Sequence, residues 1–397
     1  MKNHHQIVVI GGGNAGISVS AQLLRKNKKL DIAIVDPADK HYYQPAWTLV
    51  GGGAFDINDT VRDEAEVMPN NVTWIKEKAN GFVPEENKVL LAHGALTYDY
   101  LIVCPGIQLN WGAIKGLPET LGKNNVCSNY SFETAPYTFE CVKNFKGGKA
   151  IFHNPSTPVK CGGAPHKIMY LATDYFRKHG VLPRADVQYW SGAGKLFAVP
   201  RYESTLLDVC KRGNIKLNFN VNLTEIDGPN HKATFVGFGE NNKDQVYEVA
   251  FDMIHVTPPQ SAPDFIRNSP LANPAGWVEV DKGTLQHVRH ANVFSLGDAA
   301  GLPISKTGAA IRKQAPVVVQ NLHDVMNGQK PSATYLGYTS CPLVTGYGKL
   351  VRAEFDYNNT PMETFPFDQS KERWSMYQRK KQVLPRMYWS AILKGLA

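Results

Sequence analysis

Chemistry in this chain is expected at two cysteines and one glycine-rich turn. Cys161 lies in Pro158-Val159-Lys160-Cys161-Gly162-Gly163-Ala164-Pro165-His166-Lys167, just before a helix in which Pro165 suits the first turn. A cysteine beside a helix N-terminus and next to a lysine should have a lowered pKa and thiolate character. Cys341 lies far along the chain, among the turn residues of Tyr338-Thr339-Ser340-Cys341-Pro342-Leu343-Val344-Thr345-Gly346-Tyr347. Cys104, Cys141 and Cys210 read as small buried hydrophobes, and Cys127 is ambiguous. No C-x-x-C pair occurs, which argues against zinc and thioredoxin-type chemistry. Six cysteines in 397 residues do not make a disulfide scaffold, so any disulfide here is expected to be catalytic. No His/Asp/Glu cluster has metal spacing, and no metal is expected.

Gly11-Gly12-Gly13-Asn14-Ala15-Gly16 follows an apolar strand and opens a helix, and Asp36 comes twenty residues after Gly16. This is the dinucleotide fingerprint. Gly11 permits the tight turn, Gly13 lets the backbone approach a pyrophosphate, and Gly16 lets helix and strand pack closely. The helix N-terminus at Asn14 and Ala15 offers free N–H groups to the phosphates. Asp36 can accept from ribose hydroxyls. Two later segments, Tyr98–Gly106 and Asn292–Asp298, resemble the second and third fingerprints of flavoproteins with two dinucleotide domains. That resemblance implies FAD. Gly106 ends the strand in a sharp turn. The resemblance further implies that the Gly297-Asp298 carboxylate contacts the ribityl chain and that the helix opened by Lys306-Thr307-Gly308 points its positive end at the isoalloxazine. Members that use NADH carry a second glycine motif. Here the central strand runs into His153-Asn154-Pro155-Ser156-Thr157-Pro158-Val159-Lys160-Cys161 instead, and proline has no N–H to donate. Nicotinamide binding is expected to be lost.

The elements that carry these residues read as strand, glycine turn, helix, strand, the start of a parallel sheet covered by helices. Further strands are expected at 72–75, 88–91, 100–103, 150–152, 186–189, 216–220, 233–235, 253–256 and 293–296. Helices are expected at 165–179, 202–212 and 307–326. The fold class is α/β, with tandem Rossmann-like dinucleotide-binding domains and a C-terminal amphipathic membrane-associating segment. Residues 1–115 plus 281–330 should form the FAD-binding domain, 116–280 the second Rossmann-like domain, and 331–397 a cap with docking helices. Net charge is +8, and residues 368–397 hold seven Lys/Arg against two acids, so most of the excess is in the tail. Trp374, Tyr377, Tyr388 and Trp389 are interleaved there with Lys380, Lys381, Arg386 and Lys394, and Pro385 should break the segment into two short helices. Such a pattern points to an anionic membrane surface and away from nucleic acid. The bland alternative is a helix pair packed on the protein's own core. No stretch approaches 18 consecutive apolar residues and no signal or transit peptide is visible, so the expectation is a monotopic protein of a bacterial inner membrane. A homo-oligomer is compatible with all of this.

The long motifs around Cys161 and Cys341, with His255-Val256-Thr257-Pro258-Pro259, Ser305-Lys306-Thr307 and Glu363-Thr364-Phe365-Pro366-Phe367-Asp368-Gln369-Ser370-Lys371-Glu372-Arg373, resemble the sulfide:quinone oxidoreductase family over nearly the whole chain, and most closely the branch with the mitochondrial enzyme. The resemblance implies that Cys161 and Cys341 form a redox pair beside FAD, as a disulfide or with a bridging sulfur. Sulfide attacks the bridge, Cys341 keeps the sulfane sulfur, and Cys161 passes two electrons to the flavin. A membrane quinone then takes them, and a sulfane-sulfur acceptor removes the sulfur. His166 and His255 are candidate proton shuttles, with a structural role as the alternative. An NADH:quinone oxidoreductase or a flavocytochrome-type sulfide dehydrogenase of the same fold stays open, as does a flavin sensor without turnover.

Overall fold

The computed structural model describes residues 2–397. The first strand, His4–Ile10, is apolar from Ile7 onward because it lies inside a sheet covered on both faces. It pairs in parallel with Ile32–Val35 and with Gly94–Val103. The sheet continues through Val72–Ile75 on one side. On the other side, the start of Gly94–Val103 pairs antiparallel with Lys88–Leu91, and its end pairs in parallel with Val293–Ser295. That last strand returns from far along the sequence, and this is how Asp298 comes to stand near the glycine turn. The helices Asn14–Lys26 and Gly308–Met326 pack together on one face.

A second parallel sheet runs in the order Val126–Cys127, Met253–His255, Gly148–Asn154, Ala185–Ser191, Lys216–Phe219. The helices Ala135–Asn144, Ala164–Lys178 and Pro200–Arg212 share a core with it. A three-stranded antiparallel sheet, Val221–Asp227, Lys232–Gly237 and Val246–Ala250, packs on its other side. The hairpin Thr339–Gly346 and Lys349–Phe355 lies against the helix Ala164–Lys178 and carries Cys341.

The tail differs from expectation in two ways. Pro385 does not break it. Helical backbone runs from Trp374 to Ile392, with wide turns at Arg379–Val383 and Tyr388–Ile392. The Leu384 N–H reaches back five residues to the Arg379 carbonyl. Such a turn spreads the carbonyls just ahead of the proline ring, which would otherwise clash in a regular helix. The tail's apolar face is also largely spent on the protein itself. Met376 and Tyr377 pack with Leu171 and Val344, while Tyr388, Ile392 and Leu393 pack with Ile17 and Tyr43. Trp374, Val383 and Leu396 remain exposed, at 67%, 50% and 56%. No helix among the described residues is long and apolar enough to cross a membrane.

Candidate active site

The glycine turn has the close contacts that its residue types require. A Cβ on Gly11 would lie 2.6 Å from the Cys104 carbonyl oxygen, and one on Gly16 would lie 1.8 Å from that of Gly11. Only glycine fits at either place. A Cβ on Gly13 would meet nothing within 4 Å, so the space before the helix is open. No side chain caps that helix. Its first N–H groups, from Asn14 and Ala15 onward, therefore face this space with no intrahelical acceptor. Gly106, at φ +84, likewise borders open space. Asp36 accepts from the Gly12 N–H at 2.5 Å and the Ala38 N–H at 2.8 Å, which fixes its carboxylate beside the turn.

Gly297 takes φ +74 and places Asp298 at the start of a short 3-10 turn. Burial raises the Asp298 pKa, opposed by the charges of Lys306 and Lys160, and its carboxylate has no hydrogen-bond donor among the described residues. Thr307 caps the helix Gly308–Met326 by accepting from the Ala310 N–H at 3.1 Å. Lys306 is no solvated lysine. Its ammonium donates to the Asp298 and Ala300 carbonyls at 2.6 and 3.3 Å and lies 3.7 Å from the Trp277 ring centre. Burial lowers its pKa to about 8. An uncapped helix over an open glycine cradle, with an unpartnered carboxylate beyond it, suits the phosphates and polyol chain of a flavin dinucleotide.

The structure brings Cys161 and Cys341 together. A backbone bridge from Lys160 to Lys306 lays the Cys161 loop beside the helix start at Thr307. The Thr307 and Thr339 hydroxyls pair at 2.8 Å and hold the Cys341 strand to the same point. Gly163 allows the close approach, since a Cβ there would lie 2.1 Å from Leu343 Cδ2. Cys161 itself sits at φ +93, a conformation costly for any residue but glycine. The Cys341 thiol donates to the Cys161 sulfur, and this hydrogen bond holds the Cys161 pKa well below that of an ordinary thiol. Burial opposes the shift, and the charges of Lys167 and Lys380 add to it. The Lys167 ammonium donates to Cys161 Sγ at 3.0 Å. The same pairing, together with burial, pushes Cys341 upward. These opposite shifts favour the anion at Cys161 and the neutral thiol at Cys341, and the helix Ala164–Lys178 starts beside Cys161 with its positive end.

Sequence reasoning missed two members of this site. Lys167 was visible in the Cys161 motif, six residues on, but only the helix brings it back to the sulfur. Lys380 reads as a lipid-facing cation of the tail, yet it is buried and donates to the Pro45 carbonyl at 2.9 Å. Burial lowers its pKa to about 7, Lys167 lowers it further, and the two sulfurs pull it back up. Lys160, adjacent to Cys161, donates to Gln44 Oε1 at 2.7 Å and the Tyr130 carbonyl at 3.2 Å.

The two histidines are poorly suited to the shuttle role. Burial lowers both pKa values to about 3, with Lys167 reinforcing the shift at His166 and His153 at His255. His166 stands in a box of Tyr170, Tyr189 and Phe197, while His255 pairs with Asn129. An imidazole held neutral across physiological pH is a poor proton carrier. Cys127 lies against Cys141, and burial raises its pKa well above the ordinary value, as it does for Cys104.

Two largely parallel sheets, a glycine-loop helix and a cysteine pair beside them are the architecture of a dinucleotide-binding oxidoreductase. Residues 5–136 match the family model described as pyridine nucleotide-disulphide oxidoreductase. The sulfide:quinone oxidoreductase, mitochondrial, of Dictyostelium discoideum is 49% identical over 100% of this chain and 87% of its own length. The Mus musculus protein of the same name is 43% identical over 99% of this chain and 87% of its own. The chain belongs to the sulfide:quinone oxidoreductase family. Its fold also matches the sulfide:quinone oxidoreductase structure from Aquifex aeolicus at TM-score 0.83 and 20% identity, over 99% of this chain and 92% of that one. A chain in the Tetrahymena thermophila mitochondrial ATP synthase structure matches at TM-score 0.89 and 20% identity, over 100% of this chain and 97% of that one. The two structural matches concern the fold alone.

Proposed function

We propose that this protein oxidises sulfide at the Cys161–Cys341 pair and delivers two electrons, with FAD as its flavin, to a membrane quinone. The observation that carries this reading is the asymmetry of the pair, a lysine-bound thiolate against a buried thiol. In the oxidised pair, HS⁻ attacks the Cys341 sulfur of the bridge. A new S–S bond forms on Cys341, the bond to Cys161 breaks, and Cys161 leaves as the thiolate that Lys167 stabilises. The incoming sulfur is oxidised by two electrons and the bridge is reduced by two. A nucleophilic acceptor then removes the sulfane sulfur from Cys341. When bound, FAD supplies a two-electron acceptor that can discharge to quinone. Gly11, Gly13, Gly16, Asn14 and Ala15 would hold its phosphates, Asp36 its adenosine ribose, and Gly106, Gly297, Asp298, Lys306 and Thr307 its flavin half. Loss of the second glycine motif supports a protein that does not take electrons from NADH.

Sulfide added anaerobically to the purified protein should bleach the flavin absorption within seconds, and a soluble quinone should restore it. NADH should leave the spectrum unchanged. Bleaching by NADH with sulfide inert would move the protein to the NADH:quinone class.

Membrane-surface association belongs to the same reading, because a lipid-soluble quinone needs a pocket that opens to lipid. The exposed Trp374, Val383 and Leu396, with the exposed cations Lys371, Arg386 and Lys394, are the tail residues that would meet lipid in this reading. The curated relatives are named mitochondrial, which lends no support to a bacterial inner membrane. Replacing Trp374 and Val383 by serine and Arg386 by glutamate should reduce co-sedimentation with anionic vesicles about tenfold, without altering reduction by sulfide. Unchanged vesicle binding would return the whole tail to the core.

A further inference from the structure

We propose that Arg312 and Arg379, with Lys313 at the rim, form a site for the phosphate of an anionic phospholipid. The inference deepens the membrane-docking reading above and rests on it. Three arginines from three separate elements meet here. Arg312 lies near the start of the helix Gly308–Met326, Arg352 on the strand Lys349–Phe355, and Arg379 in the tail helix. Arg352 and Arg379 share one aromatic ring, with guanidinium carbons 4.9 and 5.4 Å from the centre of Phe365. Burial lowers the Arg379 pKa, and the charges of Arg352 and Arg312 lower it further. A guanidinium stays protonated even so, and the like charges remain face to face.

Arg352 is answered by Glu354 at 2.6 Å. That carboxylate is already engaged. It is fully buried and also accepts from the Tyr338 hydroxyl, from Gln369 Nε2 at 2.8 Å and from the Thr364 N–H at 2.9 Å. Arg312 and Arg379 have no acidic partner and no hydrogen-bond acceptor among the described residues, and Lys313 has only the Tyr338 ring, 5.9 Å away. Arg379 is half-buried, so water reaches it on part of its surface only, and the open part is where an anion would relieve the repulsion. Planar guanidinium forks match the oxygens of a phosphate. The surroundings indicate its source. Val383 stands four residues after Arg379, on the same side of the helix, and is exposed. Phe365 is partly exposed and stacks on Phe367, with ring centres 5.3 Å apart. Free phosphate offers the same oxygens but nothing for these apolar groups, whereas a phospholipid brings acyl chains to them.

The experiment is a calorimetric titration of the full-length flavin-loaded protein with dihexanoylphosphatidylglycerol below its micelle concentration, and separately with inorganic phosphate. The lipid should bind in a one-to-one ratio. Arg312→Gln and Arg379→Gln should each weaken it about tenfold or more, whereas Arg386→Gln should change it by less than about twofold. Inorganic phosphate should bind at least about tenfold more weakly than the lipid. Without lipid, Arg379→Gln should melt no lower than wild type, because it removes a repulsion. Lipid affinity equal in wild type and both arginine variants would overturn the proposal, as would phosphate bound as tightly as the lipid. A lower melting point in Arg379→Gln, with lipid binding intact in Arg312→Gln, would reduce the pair to a structural role. Unchanged lipid binding with a raised KM for a soluble quinone would also overturn it, and would assign the arginines to the quinone path. Wild-type protein that does not co-sediment with anionic vesicles would instead overturn the docking reading itself.

Discussion

Cys161→Ser is expected to slow flavin reduction by sulfide by at least about a thousandfold, while FAD stays bound and the protein stays folded. Serine fills nearly the same space, so the effect is chemical. A hydroxyl cannot bridge to Cys341, and the ammonium of Lys167 then has no thiolate to stabilise. Cys341 cannot take over, because burial still opposes its ionisation and it has no second sulfur to bridge to. Cys341→Ser should be equally inactive for a different reason. The thiolate survives, held by Lys167 and by the hydroxyl that replaces the thiol, but no sulfur remains to carry the sulfane atom. Ultraviolet absorbance of the thiolate separates the two: lost at neutral pH in Cys161→Ser, retained in Cys341→Ser. Cys104→Ala and Cys127→Ala are the controls. Both sulfurs are buried away from the charged cluster with raised pKa values, and the rate should stay within about twofold. Full activity in either active-site variant, followed by stopped-flow absorbance, would remove the pair from the mechanism.

How legible this was from the chain follows the range of each interaction. The glycine turn was readable because strand, turn, helix and acid lie within one short segment, and each glycine meets the neighbour that its position demands. The helices expected at 165–179, 202–212 and 307–326 appear at Ala164–Lys178, Pro200–Arg212 and Gly308–Met326, where apolar spacing and a proline or threonine mark the start. The strands Ala79–Val83, Val221–Asp227 and Val246–Ala250 and the helix Ala135–Asn144 were missed. The three strands lie in antiparallel arrangements with one face wet, and their alternation is broken by polar residues. Pro385 was read by the rule for regular helices, and wide turns let the chain pass it. Lys380 was misread because a cation among aromatics has the same local pattern at a lipid surface and in a buried sulfur site. Only the packing of the tail on the Gln44–Ala46 turn and the helix Ala164–Lys178 decides between them.

Lys167→Met should lower the rate of reduction by sulfide about tenfold or more near neutral pH and make that rate climb with pH more steeply than the HS⁻ fraction does. The sign follows from which form carries charge. Cys161 is anionic above its pKa and becomes protonated as pH falls through it. With its pKa held well below the ordinary range, wild-type Cys161 is a thiolate throughout the neutral region, so its own titration adds no slope there to that of the HS⁻ fraction. Without Lys167 the Cys341 hydrogen bond remains, but a charge and a 3.0 Å donor are gone while the burial that opposes ionisation stays. The Cys161 pKa therefore rises, Cys161 is a poorer leaving group, and the lost fraction returns only as pH is raised. Lys167→Arg should recover part of the rate at neutral pH, because it restores the charge at a different reach. Lys380 adds a second feature. Burial holds its pKa near 7, so it loses its proton as pH rises through neutrality, and its support for the thiolate goes with it. Wild-type activity per unit HS⁻ should consequently decline on the alkaline side, and Lys380→Met should be slower at low pH but free of that decline. The check is a pH series of thiolate absorbance on the reduced protein, with Cys161→Ser as the blank, beside the stopped-flow rates. A titration midpoint in Lys167→Met equal to that of wild type would show that the lysine holds the helix in place and leaves the sulfur alone.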